Sequence, residues 1–253
     1  MNLAQLDFFF KNLLKISDFE TADPSQNGIQ VQNNISCFSK IAFAVDASME
    51  TFKRTAELGA QMLFVHHGLF WGKSQTITDN HYKRISFLLS NNIALYACHL
   101  PLDAHPQFGN NASLASILDL ENREPFGEWH GKLIGVKGNL KETLTPEQVM
   151  NKLFSERRNI LSFLPFGKPK VSSIGIISGG ACEDVYQAID QNLDMYITGE
   201  VSHEIYHPVK EAGINFLAGG HYQTETGGVK AVAAQLGRET GIETVFIDVP
   251  TNL

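Results

Sequence analysis

Apolar residues near the start recur at helical spacing (Leu3, Leu6, Phe9, Phe10, Leu13, Leu14), which predicts an opening helix. A Pro/Ser/Asn/Gly turn at Pro24 to Gly28 follows, and short apolar runs then alternate with helical patterns. Ile41 to Val45, Met62 to Val65 and Ile93 to Ala97 read as buried strands. Glu50 to Leu58, Lys83 to Asn91 and Asn111 to Leu118 read as helices. That alternation predicts an α/β arrangement with a mainly parallel sheet. Around Glu124 to Gly131 the pattern breaks and a second series begins. Strands are predicted over Leu133 to Val136, Ile160 to Leu164, Ile174 to Ile177, Met195 to Ile197 and Ile214 to Leu217. Helices are predicted over Thr145 to Leu153, Asp184 to Gln191, Ser202 to Ala212 and Thr226 to Arg238, with a last strand over Thr244 to Val249. Thr145 followed by Pro146 is a helix start, with the threonine as cap.

Two α/β lobes follow from this. Candidate ligand residues fall in the first half and again only after residue 220, so residues 1–125 plus 220–253 are expected to form a metal-binding lobe. Residues 126–219 are then a second α/β lobe.

The chain has 253 residues, 43% apolar and 19% charged, an ordinary globular composition large enough for a sizeable core. A net charge of −7 argues against broad electrostatic binding to nucleic acid or anionic membrane. It does not exclude a nucleotide substrate, because bound cations reverse the sign of an acidic site. No stretch reaches the length of a membrane span and the N-terminus lacks a signal-peptide layout. Cys37, Cys98 and Cys182 are odd in number and far apart, so neither a disulfide framework nor a zinc ribbon is indicated, and a cytoplasmic setting is expected.

The chemistry concentrates at predicted strand ends. His66-His67 closes the run Met62 to Val65 and precedes Gly68. Adjacent strand residues point to opposite faces, so the two rings share one ligand only if the strand is irregular. At a strand end they can diverge toward two metals; the plainer alternative is a surface or core pair. In His99-Leu-Pro-Leu-Asp103, Pro101 argues against a regular helix and for a loop that returns the Asp103 carboxylate to the strand end. His99 is a candidate ligand, ligand support or proton carrier. Gly219-Gly220-His221 through Glu225 turns the chain and sets His and Glu four residues apart as a helix starts, on one face. Glu225, with two oxygens, can bridge two cations. Three imidazoles and two carboxylates without a thiolate suffice for two divalent ions, and fit Fe, Mn, Zn, Co or Ni.

Other positions carry weaker signals. Glu200, His203 and His207 can make a second metal site, though a solvated helix face is the simpler reading. Ser178-Gly179-Gly180 can offer backbone N–H groups to a phosphate, but without phosphate-loop spacing it reads first as a turn. Asp46 and Ser48 line a pocket or cap the next helix. His81, His105 and His130 have no partner at useful spacing.

Asn27-Gly28-Ile29-Gln30-Val31, His66-His67-Gly68, His99-Leu-Pro-Leu-Asp103-Ala-His, Thr198-Gly199-Glu200 and Gly220-His221 through Glu225, in that order, resemble the GTP cyclohydrolase I type 2 homologue (Nif3-like) family. The likeness is greatest to its short bacterial, YbgI-like members and runs from Asn27 to Phe246-Ile-Asp-Val-Pro250. The resemblance implies a two-lobed α/β fold with a dinuclear metal site at strand ends in a cleft between lobes. It also implies a homohexameric ring built from dimers. It assigns His66 and His221 to one metal, His67 and Asp103 to the other, and makes Glu225 the bridge. The inserted domain of longer members has no counterpart here.

The function expected from this is a dinuclear-metal hydrolase acting on GTP or a damaged, nucleotide-like substrate through a metal-bridged hydroxide. His99 is the catalytic proton carrier in that reading. Two alternatives stand beside it: a metal-binding regulatory or scaffold protein without turnover, and a general phosphoesterase or amidohydrolase.

Overall fold

The computed structural model describes residues 1–154 and 160–253, which divide into two units. One comprises Met1–Leu102 with Val229–Val249, the other Asp103–Gly228 with Pro250–Leu253. The division expected from the sequence drew its boundaries elsewhere, near residues 125 and 220. By contacts, Asp103, His221 and Glu225 belong with the middle of the chain, apart from His66, His67 and His99.

The first unit is built on a sheet of order β1-β4-β3-β2-β11. Its strands are β1 (Gly28–Val31), β2 (Lys40–Asp46), β3 (Met62–His67), β4 (Ala94–Ala97) and β11 (Glu243–Phe246). The β11-β2, β2-β3 and β3-β4 pairs are parallel and only β1 runs antiparallel, against β4. Strand alternation sends Leu63, Val65, Ala42, Ala44 and Leu95 into one apolar cluster. Phe64 and Tyr96 face the other way and stack at 5.6 Å beneath Phe10. Phe10 comes from α1 (Leu3–Leu14), which Asn2 and Gln5 close with a capping box and which buries Leu6, Phe10 and Leu14 at i, i+4 and i+8. Helices α2 (Met49–Glu57) and α3 (Asp79–Ser90) complete the alternation, and Ser48 caps α2.

The chain leaves this unit within α4 (Leu100–Ala104). A helical turn forms here despite Pro101, where a loop was expected. Proline falls in its first turn, where the missing N–H would have no intrahelical partner.

The second unit carries a sheet of order β5-β6-β8-β9-β10-β7. Its strands are β5 (Glu121–Trp129), β6 (Lys132–Leu144), β7 (Ser162–Pro165), β8 (Val171–Ile176), β9 (Met195–Thr198) and β10 (Asn215–Ala218). Only β8-β9 and β9-β10 are parallel; the other pairs are antiparallel, so this sheet is mixed. Helices α5 (Asn110–Ile117), α6 (Pro146–Leu153), α7 (Val185–Asp190) and α8 (Tyr206–Ala212) belong to it, and α6 has the Thr145 cap that its sequence predicts. Its core joins Leu114, Leu118, Val149, Ile174, Ile197 and Leu217. The return to the first unit runs through the single turn α9 (His221–Thr224) and then α10 (Thr226–Thr240).

Candidate functional site

Within each unit, the parallel strands end at one edge, and that edge gathers side chains able to bind a cation. This is where open α/β sheets place ligands. In the first unit the edge is formed by the carboxyl ends of β2, β3 and β4. It brings together His66, His67 and His99, whose ring nitrogens lie within 4.8 Å of one another. His66 is fully buried. The rings of His66 and His67 stand 4.5 Å apart and tilted, so the two residues diverge at the strand end.

Each of the three rings is oriented by an oxygen acceptor behind it. His66 Nδ1 donates to the Cys98 carbonyl at 3.0 Å. His67 Nδ1 meets Asp46 Oδ1, and His99 Nδ1 meets Asp23 Oδ1, both at 2.8 Å. A carbonyl or carboxylate accepts only, so each contact places a proton on Nδ1, and in a neutral ring the lone pair is then on Nε2. That is the arrangement of a metal-ligating imidazole with an outer-shell oxygen. Asp46 is therefore a support for His67, its β-sheet neighbour across β2-β3, while Ser48 is the helix cap.

Gly68 works by close approach. A Cβ here would fall 2.4 Å from the Gln30 amide and 2.6 Å from Ala97 Cβ. Gln30 Oε1 accepts from Leu69 N at 2.6 Å and so holds the segment after the histidines. Trp71 stands edge-on to His99 at 5.0 Å, its indole N–H on the Gly68 carbonyl.

In the second unit the edge is formed by the ends of β8, β9 and β10. It gathers Asp103, His221 and Glu225. Asp103 and Glu225 are 6% and 3% exposed, and a carboxylate oxygen of each lies within 4.8 Å of the other. Asp103 Oδ1 accepts from Asn110 Nδ2 at 2.8 Å and from the Ser178 hydroxyl at 3.0 Å. His221 Nε2 lies 3.2 Å from Glu225 Oε1 and its Nδ1 lies 2.6 Å from Glu200 Oε1. Burial pulls the His221 pKa down, but the Glu225 and Glu200 carboxylates outweigh it and raise it to about 9. His221 and Glu225 meet across a break between α9 and α10, not along one continuous helix.

The two loops read only weakly from the sequence both support this trio. Glu200 holds His221, while His203 and His207 remain exposed on the surface. Ser178 holds Asp103, and Gly179 has φ +67°, with a position for Cβ only 2.3 Å from Glu225 Oε1. Only glycine fits both demands. His105 accepts backbone N–H groups from Gln107 and Phe108. Sequence reasoning missed Asp23; its one local signal was the Asp-Pro-Ser-Gln-Asn-Gly turn, where an aspartate takes the N–H two residues on.

A mixed α/β fold whose strand edges present His, Asp and Glu groups able to hold a metal defines the class of protein. The family model for Duf34/NIF3 (NGG1p interacting factor 3) matches residues 1–253, and the chain belongs to that family. It is 41% identical to a Treponema pallidum protein and 42% identical to an Archaeoglobus fulgidus protein, in each case over all of both chains. Both relatives carry the name GTP cyclohydrolase 1 type 2 homolog. Among solved structures, protein ybgI, described as of unknown function, matches with a TM-score of 0.92 at 32% identity over all of both chains. TTHA1606 from Thermus thermophilus matches with a TM-score of 0.90 at 36% identity, again over all of both chains. Among the described residues no helix is long and apolar enough to cross a membrane.

Proposed function

We propose that the chain is a metal-dependent hydrolase in which His66, His67, Asp103, His221 and Glu225 hold two divalent cations. The donor set fits such ions: imidazole and carboxylate groups, two of them buried carboxylates close together, which neutral surroundings would not tolerate. As the family resemblance implies, His66 and His221 are taken for one ion and His67 and Asp103 for the other, with Glu225 shared.

The observation that carries the proposal is the orientation of the rings. His66, His67, His99 and His221 each turn Nδ1 to an oxygen acceptor, as metal-ligating imidazoles do, and the ring nitrogens of His66, His67 and His99 gather within 4.8 Å of one another, which histidines that merely fill a core do not need. Two divalent cations, when bound, supply Lewis acidity and acidify coordinated water toward neutral pH. The protein's own part is to hold the donors in place, to strip Nε2 of its proton and to move protons. His221 must give up its Nε2 proton to bind a metal. His99, half-buried with its proton anchored at Nδ1, offers Nε2 as a proton acceptor. The names of the relatives make GTP or a nucleotide-like molecule the first substrate to try, in a hexameric cytoplasmic protein.

The test is the metal content of protein purified without added metal or a tag, with GTP turnover followed before and after chelation. About two metals per chain, with turnover lost on chelation and regained on reloading, is the expected result. Metals without turnover of GTP, other nucleotides, phosphoesters or amides would favour the scaffold reading. Turnover that survives replacing both His67 and Glu225 with Ala would overturn the proposal.

A further inference from the structure

The Asp23 carboxylate accepts four hydrogen bonds, and its side chain is fully buried. An ionised carboxylate in that position is costly unless its oxygens are well supplied with donors. Here they are. Oδ1 accepts from Ser25 N at 2.9 Å and from His99 Nδ1 at 2.8 Å. Oδ2 accepts from Asn27 Nδ2 at 2.8 Å and from Leu100 N at 2.9 Å. Asn27 in turn accepts from His99 N through its Oδ1 at 2.8 Å. The Ser25 contact alone would make the turn. The other donors belong to Asn27 and to the segment that carries His99, so this network grips both the ring and the backbone of that histidine.

We propose that Asp23 is a positioning residue that acts through His99, fixing the ring in the Nδ1–H tautomer so that Nε2 presents its lone pair beside His66 and His67. That a lone pair is wanted there rests on the reading of this edge as a metal and proton-transfer site; the tautomer itself does not.

The four donors explain why the residue is an aspartate. Both oxygens receive two N–H groups each, and asparagine has only one oxygen to offer. Turned one way, the NH2 of an Asp23→Asn side chain would face Asn27 Nδ2 and Leu100 N, two donors that cannot adapt without moving the turn or the backbone. Turned the other way it would face only one fixed donor, Ser25 N. His99 can relieve its side of the clash by moving its proton to Nε2 and accepting at Nδ1. The second orientation leaves fewer conflicts, so the substitution is expected to reverse the tautomer while preserving most of the packing.

The experiment uses the full-length, metal-free chain with ring-15N histidine, read by long-range proton–nitrogen NMR at a pH where the His99 ring is neutral. The His99 signals are assigned by their loss in His99→Gln. In the wild type the protonated nitrogen should be Nδ1; in Asp23→Asn it should be Nε2. Asn27→Ala serves as the structural control, since it loosens the same turn but leaves the Asp23–His99 contact, and the Nδ1–H form should persist. A wild-type ring protonated at Nε2 overturns the proposal even if Asp23→Asn fails to fold. So does a folded Asp23→Asn chain that keeps Nδ1–H, or an Asn27→Ala chain that loses it. Because no metal and no substrate enter the measurement, its failure is separate from any failure of the hydrolase reading.

Discussion

The two units solve the same local problem with opposite chemistry. Each ends its parallel strands at an edge that collects a trio of donors, but the first unit's trio is imidazole only and the second's is two carboxylates and one imidazole. The first offers imidazole nitrogens, each with an oxygen acceptor behind its Nδ1. The second brings two carboxylates within 4.8 Å, and a pair of unit charges that close repels by about 3.5 kcal/mol or more at an effective dielectric of about 20. In the metal-free chain a protonated His221 offsets part of that repulsion, which is why its pKa rises to about 9. On the proposed function the difference amounts to a division of labour: the carboxylate half would create the demand for cations, and the imidazole half would add directional donors that favour transition metals over harder ions.

If that division holds, removing a carboxylate does more harm than removing an imidazole. Glu225→Ala should weaken metal binding by more than about 100-fold, or roughly 2.7 kcal/mol, and lower the number of ions bound. His67→Ala should weaken binding less and leave some metal in place. Calorimetry with Mn²⁺ on both variants decides it; equal losses would break the asymmetry.

A second contrast concerns how each unit is held at acid pH. In the second unit Asp194 accepts from Lys168 Nζ at 2.7 Å and from Ser172 N and Ser173 N at 2.8 and 3.1 Å. Burial pulls its pKa up, but the Lys168 ammonium and the two amides win and hold it below the usual carboxylate value. A depressed folded-state pKa gives stability that is fully present above the unfolded value of about 3.9 and is lost as pH falls through the folded one. Asp194→Asn should therefore cost about 1–3 kcal/mol at neutral pH and flatten the acid limb of the urea-midpoint profile. Hydrogen exchange should speed up in β8 and β9 more than in β2 and β3.

Much of this comparison was legible along the chain because its signals are local. His66-His67 at the end of an apolar run, Asp103 after another, and His221 with Glu225 after two glycines all announce strand ends. The supports were not, because they are tertiary: Asp23 lies 76 residues from His99, and Ser178 lies 75 from Asp103. Strand β5 escaped because it buries only Phe126 and Gly127 of its nine residues, leaving no alternation to read. The mixed sheet escaped too, since apolar runs do not reveal direction.

Two glycines allow the trios to be perturbed without deleting a donor. Gly179→Ala would force a left-handed residue, at about 1–2 kcal/mol, and drive a methyl into Glu225 Oε1. Metal affinity should fall about tenfold. Gly68→Ala would crowd Gln30 and Ala97 instead, so its loss should register in melting temperature while the number of bound metals stays unchanged. Calorimetry paired with thermal unfolding separates the two.

The smallest effect, and the sharpest check on the comparison, lies in the exposed supports. Asp46 behind His67 and Glu200 behind His221 have side chains 37% and 50% exposed, so water can replace part of what either contributes. Asp46→Asn and Glu200→Gln should each weaken metal binding by less than about tenfold. They should differ in kind. In the imidazole half Asp46 sets a ring position, and an amide oxygen accepting from Nδ1 replaces much of that. In the carboxylate half Glu200 also helps to keep His221 protonated in the metal-free chain, so Glu200→Gln should lower the His221 pKa and reduce the number of protons released when metal binds near neutral pH. Calorimetry in buffers of different ionisation enthalpy measures that number. An identical proton release in Glu200→Gln and wild type would show that the negative charge of the second trio is set by Glu225 and Asp103 alone.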